Sequence, residues 1–262
     1  MKKITKEQLM LQLKNFQHIK GKIVTVHTSL KAVGEIEKGG ETLLSVLIDF
    51  FTQDGGLLCI PTHTWNSNVY DLRKADSCIG VLPRLAAAHP DAVRTLNPTH
   101  SMAVFGDREK VESFIDWESK TDTPTNPRGC YGKMYSEDGY VLLIGVGQDK
   151  NTYLHCVEEM LKTPNRLTDY KIEKKIIHKD GTEEIRFMHW FDNIIPDVSV
   201  YFPKFEEPFN HYGCIEYAQI GNAKVQICNT RKMYAVVEKI YKNNSFGELL
   251  DNDLPIDKKL YM

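Results

Sequence analysis

Several signals are missing from this chain of 262 residues. No apolar run approaches the roughly 18 residues that cross a bilayer as a helix, so no membrane role is expected. The start, Met1-Lys2-Lys3-Ile4-Thr5, leads into a charged amphipathic segment and not an apolar signal core. That argues against export and for a cytoplasmic protein. Neither sign of charge is in excess: 33 basic and 35 acidic residues give a formal net charge of −2. Nothing in that balance asks for nucleic acid or an anionic membrane surface. The six cysteines, Cys59, Cys78, Cys130, Cys156, Cys214 and Cys228, contain no Cys-x-x-Cys spacing. They suit reduced core or surface positions better than a zinc site or a disulfide framework.

Motifs are missing too. Nine histidines form neither His-x-x-x-His nor His-Glu-x-x-His, so no metal is expected. Ser29 and Ser101 adjoin strand-like runs, yet neither lies in Gly-x-Ser-x-Gly, and a nucleophile elbow is absent. Cys156 neighbours His155, but adjacent helical residues point about 100° apart, which disfavours a Cys-His dyad. The glycines before residue 41 match neither a P-loop nor a dinucleotide fingerprint. No repeat, low-complexity segment or clean linker divides the chain.

A hydrophobic content of 42% supports a full core, and residues 1–262 are expected to form one domain with an added β region. Thr5-Lys6-Glu7-Gln8 resembles a capping box before a helix over 5–19. A β-branched strand over 22–27, a glycine-containing loop, a helix over 41–51 and a strand over 57–60 follow. This β-loop-α-β order implies parallel strands in an α/β layer. Residues 62–79 and 121–128 read as long loops, of the kind that is usually functional or disordered. Between them come a helix over 82–89, a strand over 101–105 and a helix over 107–116. Two hairpins are expected in the last third, 171–190 about Lys179-Asp180-Gly181 and 215–227 about Gly221-Asn222. A helix over 231–241 closes the pattern.

The most informative stretch runs from Tyr140 to Glu158. An apolar strand ends at Gly145-Val146-Gly147, and Asn151 or Thr152 is placed to cap a helix opening at Tyr153. His155 then lies one turn into that helix, close to a buried strand end, with Glu158 at i+3 on the same face. A base held beside a carboxylate suits proton transfer. Plain packing of His155, with Glu158 favouring the first turn, fits the same residues. The loop from His27 to Glu41, after a strand and before a helix, suits a phosphate-bearing ligand or simple turn chemistry.

Taken together, these segments resemble the aminoglycoside 3-N-acetyltransferase, or antibiotic N-acetyltransferase, family. The resemblance rests on Val26-His27-Thr28-Ser29-Leu30 with Gly34 and Gly39-Gly40, and on Gly55-Gly56-Leu57-Leu58-Cys59-Ile60-Pro61-Thr62. It continues through Arg94-Thr95-Leu96-Asn97-Pro98-Thr99-His100-Ser101 and Leu142-Leu143-Ile144-Gly145-Val146-Gly147. Asn151-Thr152-Tyr153-Leu154-His155 with Glu158, and Ile220-Gly221-Asn222-Ala223, complete it in family order. It spans nearly the whole chain.

The resemblance implies a three-layer α/β/α sandwich, distinct from the GNAT-type acetyltransferase fold, carrying an added C-terminal β-hairpin region. It implies acetyl transfer from acetyl-CoA to an amine of a 2-deoxystreptamine aminoglycoside, with His155 as base and Glu158 orienting it. His27, Thr28, Ser29, Leu30, Gly34 and Ser101 would meet the CoA. A homodimer is compatible with it. Asp71, Asp76, Asp122 and Glu159 are candidate partners for the cationic acceptor. Two departures stand out: Asn97-Pro98 replaces a common His-Pro, so that position cannot titrate, and the loop over 64–79 is shorter than in many relatives. Transfer to a different amine metabolite, and ligand binding without turnover, are the competing functions; His155 with Glu158 argues against the second.

Overall fold

Thr5 and Gln8 close the capping box at the start of helix α1 (Lys6–Leu13), each side chain bonding the other's backbone N–H. The computed structural model describes residues 3–191, 194–244, 249, 251–252 and 254–262. The helix expected to reach residue 19 tightens into a 3₁₀ segment over Lys14–Ile19. Phe16 and Ile19 thereby join Leu9 and Leu13 in the core. Strand β1 (Ile23–Thr28) is buried along nearly its whole length. Ser29 caps the short helix α2 (Leu30–Val33), a turn inside the expected loop, by accepting from Ala32 N at 3.3 Å. Helix α3 (Gly40–Phe51) and strand β2 (Leu57–Pro61) follow as expected.

The expected loop over 62–79 contains strand β3 (Val69–Asp71). Helix α4 (Val81–Ala88), strands β4 (Val93–Arg94) and β5 (Met102–Phe105), and helix α5 (Arg108–Ile115) come next. Helix α6 (Cys130–Ser136) has no counterpart in the sequence-based expectation. Strand β6 (Tyr140–Ile144) runs into helix α7 (Tyr153–Met160). The hairpin β7 (Leu167–Ile177) and β8 (Glu183–Phe191) precedes helix α8 (Glu206–His211). Strands β9 (Ile215–Ile220) and β10 (Ala223–Asn229) lead into helix α9 (Thr230–Asn243), which Asn229 caps.

Seven strands form one sheet in the order β4-β5-β2-β1-β6-β10-β9. The central β1 pairs in parallel with β2 and β6, whereas β5 and β10 add antiparallel flanks. Alternation along the strands divides the core between two faces. Val24, Val26, Leu58, Leu142 and Ile144 face the side covered by α1, α3 and α4. Ile23, Leu57, Cys59, Val141 and Leu143 face α5, α6, α7 and α9. The result is the expected three-layer α/β/α sandwich. The two hairpins part company: β9 and β10 extend the main sheet, while β7 and β8 join β3 in a separate three-stranded sheet. Gly145, at φ 66°, turns the chain out of β6, where a Cβ would lie 2.4 Å from that of Ala32. Among the described residues no helix is long and apolar enough to cross a membrane.

Candidate active site

Parallel strands deliver their C-terminal ends to one side of a sheet, and ligands of α/β folds bind in the crevice outside those ends. Here β1 delivers His27 and Thr28, β2 and the residues just after it deliver Pro61 and His63, and the β6–α7 connection with the first turn of α7 delivers Asn151, Thr152 and His155. These residues line a cavity of about 600 Å³. The smaller sheet closes the opposite wall with Trp190 and Phe191, and the segment after it adds Ile195, Asp197 and Ser199.

His155 enters from the first turn of α7. That helix follows a 3₁₀ turn over Gln148–Lys150, and no side chain caps it, so neither Asn151 nor Thr152 plays the expected capping part. His155 Nδ1 lies 3.4 Å from Glu158 Oε2. Neither atom has a hydrogen bond, so the pair is in ion-pair range without being aligned. Phe191 and Phe202 pack on the imidazole with ring centroids 4.6 and 4.8 Å away. Glu158 is 3% exposed, and its other oxygen, Oε1, accepts from Arg166 Nε at 2.7 Å.

The other expected cofactor residues divide. His27 Nε2 and Thr28 Oγ1 are buried at the cavity without hydrogen bonds, and burial pushes the His27 imidazole down to about 4. Ser29 also lines the cavity, its hydroxyl capping α2. Leu30 packs into the apolar core, and Gly34 caps α2 at φ 102°; neither lines the cavity. Ser101 is fully buried in a polar knot, donating to Thr62 O at 3.1 Å and accepting from Arg94 Nη2 at 3.2 Å. It does not reach the cavity wall either.

The expected cation partners are not brought to the cavity. Asp71 accepts two bonds from the Arg73 side chain, both at 2.9 Å, and this guanidinium holds its carboxyl below the usual range. Asp122 pairs with Lys171 at 2.7 Å. Glu159 accepts from Thr123 Oγ1 at 2.6 Å and Thr125 N at 2.9 Å, and burial raises its carboxyl. The backbone carbonyl of Asp76 accepts from Arg94, and this residue too is absent from the lining. Among the described residues, the carboxylates that line the cavity are Asp149, 2.9 Å from Lys150, and Asp197, which accepts from Ser199 at 2.6 Å.

Sequence patterns passed over most of the wall. His63 bonds Tyr131 Oη at 3.0 Å through Nε2, while its Nδ1 is buried and unbonded. The His100 ring lies 4.4 Å from that of His63 at a tilt of 47°, and Trp65 lies 4.9 Å from His63. Burial, reinforced by neighbouring imidazoles, drives His63 and His100 well below the ordinary histidine range, so both are neutral. His63 was findable by the strand-end rule that singled out His155. Arg166 and Trp190 carried no local signal. Among the described residues no three His, Cys, Asp or Glu side chains converge as a metal site. All six cysteines are free and only Cys78 is exposed.

The model of the aminoglycoside 3-N-acetyltransferase family matches residues 25–242. The chain belongs to this family. The SPbeta prophage-derived aminoglycoside N(3')-acetyltransferase-like protein YokD of Bacillus subtilis strain 168 is 23% identical over 270 residues, covering 92% of this chain and 93% of that protein. A crystal structure of YokD superposes with a TM-score of 0.78 at 19% identity, over 95% of this chain and 97% of that one. The binary structure of AAC-IIIb with CoASH gives a TM-score of 0.74 at 22% identity, over 89% of this chain and 94% of that one. A His-to-Ala variant of AAC(3)-IVa in complex with apramycin gives 0.73 at 22% identity, over 93% of this chain and 94% of that one. At these identities the structural likeness establishes the shared fold.

Proposed function

We propose that this protein is an acetyl-CoA-dependent N-acetyltransferase that acts on an amine of an aminoglycoside, with His155 as general base. The observation that carries the proposal is His155 itself: its Nδ1 lies 3.4 Å from a buried carboxylate, which leaves Nε2 for the cavity. Acetyl-CoA supplies a thioester-activated acetyl group. The unbonded His27 Nε2 and Thr28 Oγ1 on the cavity wall are polar atoms that such a ligand would satisfy, and AAC-IIIb, of the same fold, is known with CoASH. A primary amine is protonated at neutral pH and must lose a proton to attack. His155 takes that proton and Glu158 Oε2 stabilises the imidazolium that forms. Thr28 offers a hydroxyl where negative charge develops. Transfer is direct in a ternary complex, because no covalent enzyme intermediate is required. The whole chain acts as one domain, since both sheets contribute walls to one cavity.

One observation favours a second acceptor class, a less highly charged amine. Asp71, Asp122 and Glu159 are committed to partners elsewhere, and the described lining balances Asp149 and Asp197 against Lys150 and Arg166. Trp65, Trp190 and Phe191 instead offer aromatic surface.

The test is free CoA thiol release across a panel of aminoglycosides and simpler amines. His155→Ala should lower turnover by ~10²–10⁴-fold, with CoA affinity measured by calorimetry and thermal stability little changed. Glu158→Gln should cost less, because the base remains. Near-native turnover in His155→Ala would place the base elsewhere.

A further inference from the structure

Arg166 lies on the cavity wall, where a cation would ordinarily be assigned to a ligand. Its hydrogen bonds point elsewhere. Nε donates to Glu158 Oε1 at 2.7 Å. Nη1 donates to Pro164 O at 3.3 Å and Asp251 Oδ2 at 3.4 Å. Nη2 donates to Asp251 Oδ1 at 2.6 Å and Leu249 O at 2.9 Å. Every guanidinium nitrogen is engaged by the protein, and the residue is 5% exposed.

We propose that Arg166 and Asp251 are positioning residues for the His155 base, acting through Glu158, and that together they set the charge against which the base works. The proposal rests on the assignment of His155 made above. Its first part is geometric. Arg166 holds one oxygen of Glu158, which fixes the carboxylate plane and keeps Oε2 within ion-pair range of His155 Nδ1, at 3.4 Å. Its second part is charge balance. Glu158 beside Arg166 alone would be a neutral pair, with little net attraction for an imidazolium. Asp251 restores one negative charge to the cluster, and protonation of His155 brings the whole to neutrality. In a water-poor site that final balance matters, because an uncompensated buried charge is costly.

Among the described residues, the other groups around His155 leave this balance intact. Glu159, next on α7, is bound to Thr123 and Thr125. Asp149 and Lys150 pair with each other in the preceding turn. His27, His63 and His100 are held neutral on the facing strands and loops. Lys174 lies behind Trp190, 5.3 Å above its ring, and donates to Ser67 O. Asp197 bonds Ser199, and Phe191 and Phe202 carry no charge.

The test is the pH dependence of turnover in Asp251→Asn, Arg166→Gln and the double variant, with CoA affinity and melting temperature alongside. Asp251→Asn leaves Arg166 unbalanced, so the base should weaken and the acid limb should move to lower pH by about one unit. Arg166→Gln removes a positive charge, so the limb should move to higher pH, with a turnover loss from the freed Glu158. The double variant keeps one negative charge on Glu158, and its limb should return toward the wild-type position. Any acidic contribution from the acceptor amine is common to all forms. Limbs that stay in place, or move the same way in both single variants, would overturn the proposal and leave a structural tether. Should Arg166→Gln fail to fold, Asp251→Asn decides alone, because the Asp251 side chain is 18% exposed and its replacement is milder. Full activity in His155→Ala removes the parent assignment, whereas an inactive His155→Ala with unmoved limbs removes only this one.

Discussion

Glu158 and Glu159 are adjacent in sequence and serve different faces of α7. A helix turns about 100° per residue, so Glu158 meets His155 and Arg166 while Glu159 meets Thr123 and Thr125. The carboxylate expected to greet a cationic acceptor is thus the anchor of the loop over 121–128. Glu159→Gln should lower stability by about 1–3 kcal/mol, as charge-assisted bonds to Thr123 and Thr125 weaken, with KM for the amine almost unchanged. A large KM effect in an equally stable variant would return Glu159 to the acceptor site. Asn97 tells a similar story: its amide donates to Thr123 O and Pro124 O, and its oxygen accepts from Thr99 N and His100 N. It pins the same loop, so loss of titration at that position is no handicap there. The His155–Glu158 pair was legible because an i,i+3 spacing is local. Asp71, Asp122 and Glu159 find partners away from the cavity lining, because sequence does not disclose which partner a carboxylate meets.

Among the elements, strongly periodic segments were legible and short ones were not. Residues 41–51 and the apolar strands follow their patterns closely, since burial on one or both faces leaves a clear trace. Helices α2 and α6 and strand β3 each span seven residues or fewer, too short for a period to show. Helix α6 is fixed by a close approach and not by amphipathicity: a Cβ on Gly132 would lie 1.7 Å from Pro127 O. Gly132→Ala should therefore displace the 121–128 loop from α6 and destabilise by several kcal/mol, beyond the ~1–3 kcal/mol usual for overpacking, measured by denaturant unfolding. An unchanged midpoint would mean that the backbone yields there at little cost. Both hairpins were visible in the turn residues, but nothing local said that β9–β10 would extend the main sheet while β7–β8 would not.

The molecule as a whole carries a pH signature from its buried histidines. Unfolded, His27 binds a proton below about 6.5; folded, it stays neutral to about 4. Between those values the unfolded chain holds more protons, so stability falls as pH falls, by about 1.4 kcal/mol per unit for one such group. His63 and His100, also depressed by burial, act in the same direction. Glu118 and Glu159, raised by burial, act oppositely above the ordinary carboxylate value. The His27 contribution makes the urea midpoint lower at pH 5.5 than at pH 7, and His27→Gln should narrow that gap. An equal gap in the variant would mean that His27 protonates readily in the fold.

The central sheet also imposes a schedule on biosynthesis. Strand β6 lies between β1 and β10, and β10 ends at Asn229, some eighty residues further along the chain. At ribosomal speeds the interval between the emergence of the two strands is on the order of ten seconds. Throughout it, Leu142 and Ile144 sit on an open strand edge, a template for pairing with another nascent chain. A fragment of residues 1–160 should therefore accumulate in aggregates or bound to chaperones when expressed alone. Recovery of that fragment as a soluble, cooperatively melting monomer would show that the first five strands of the sheet fold without waiting for the last two.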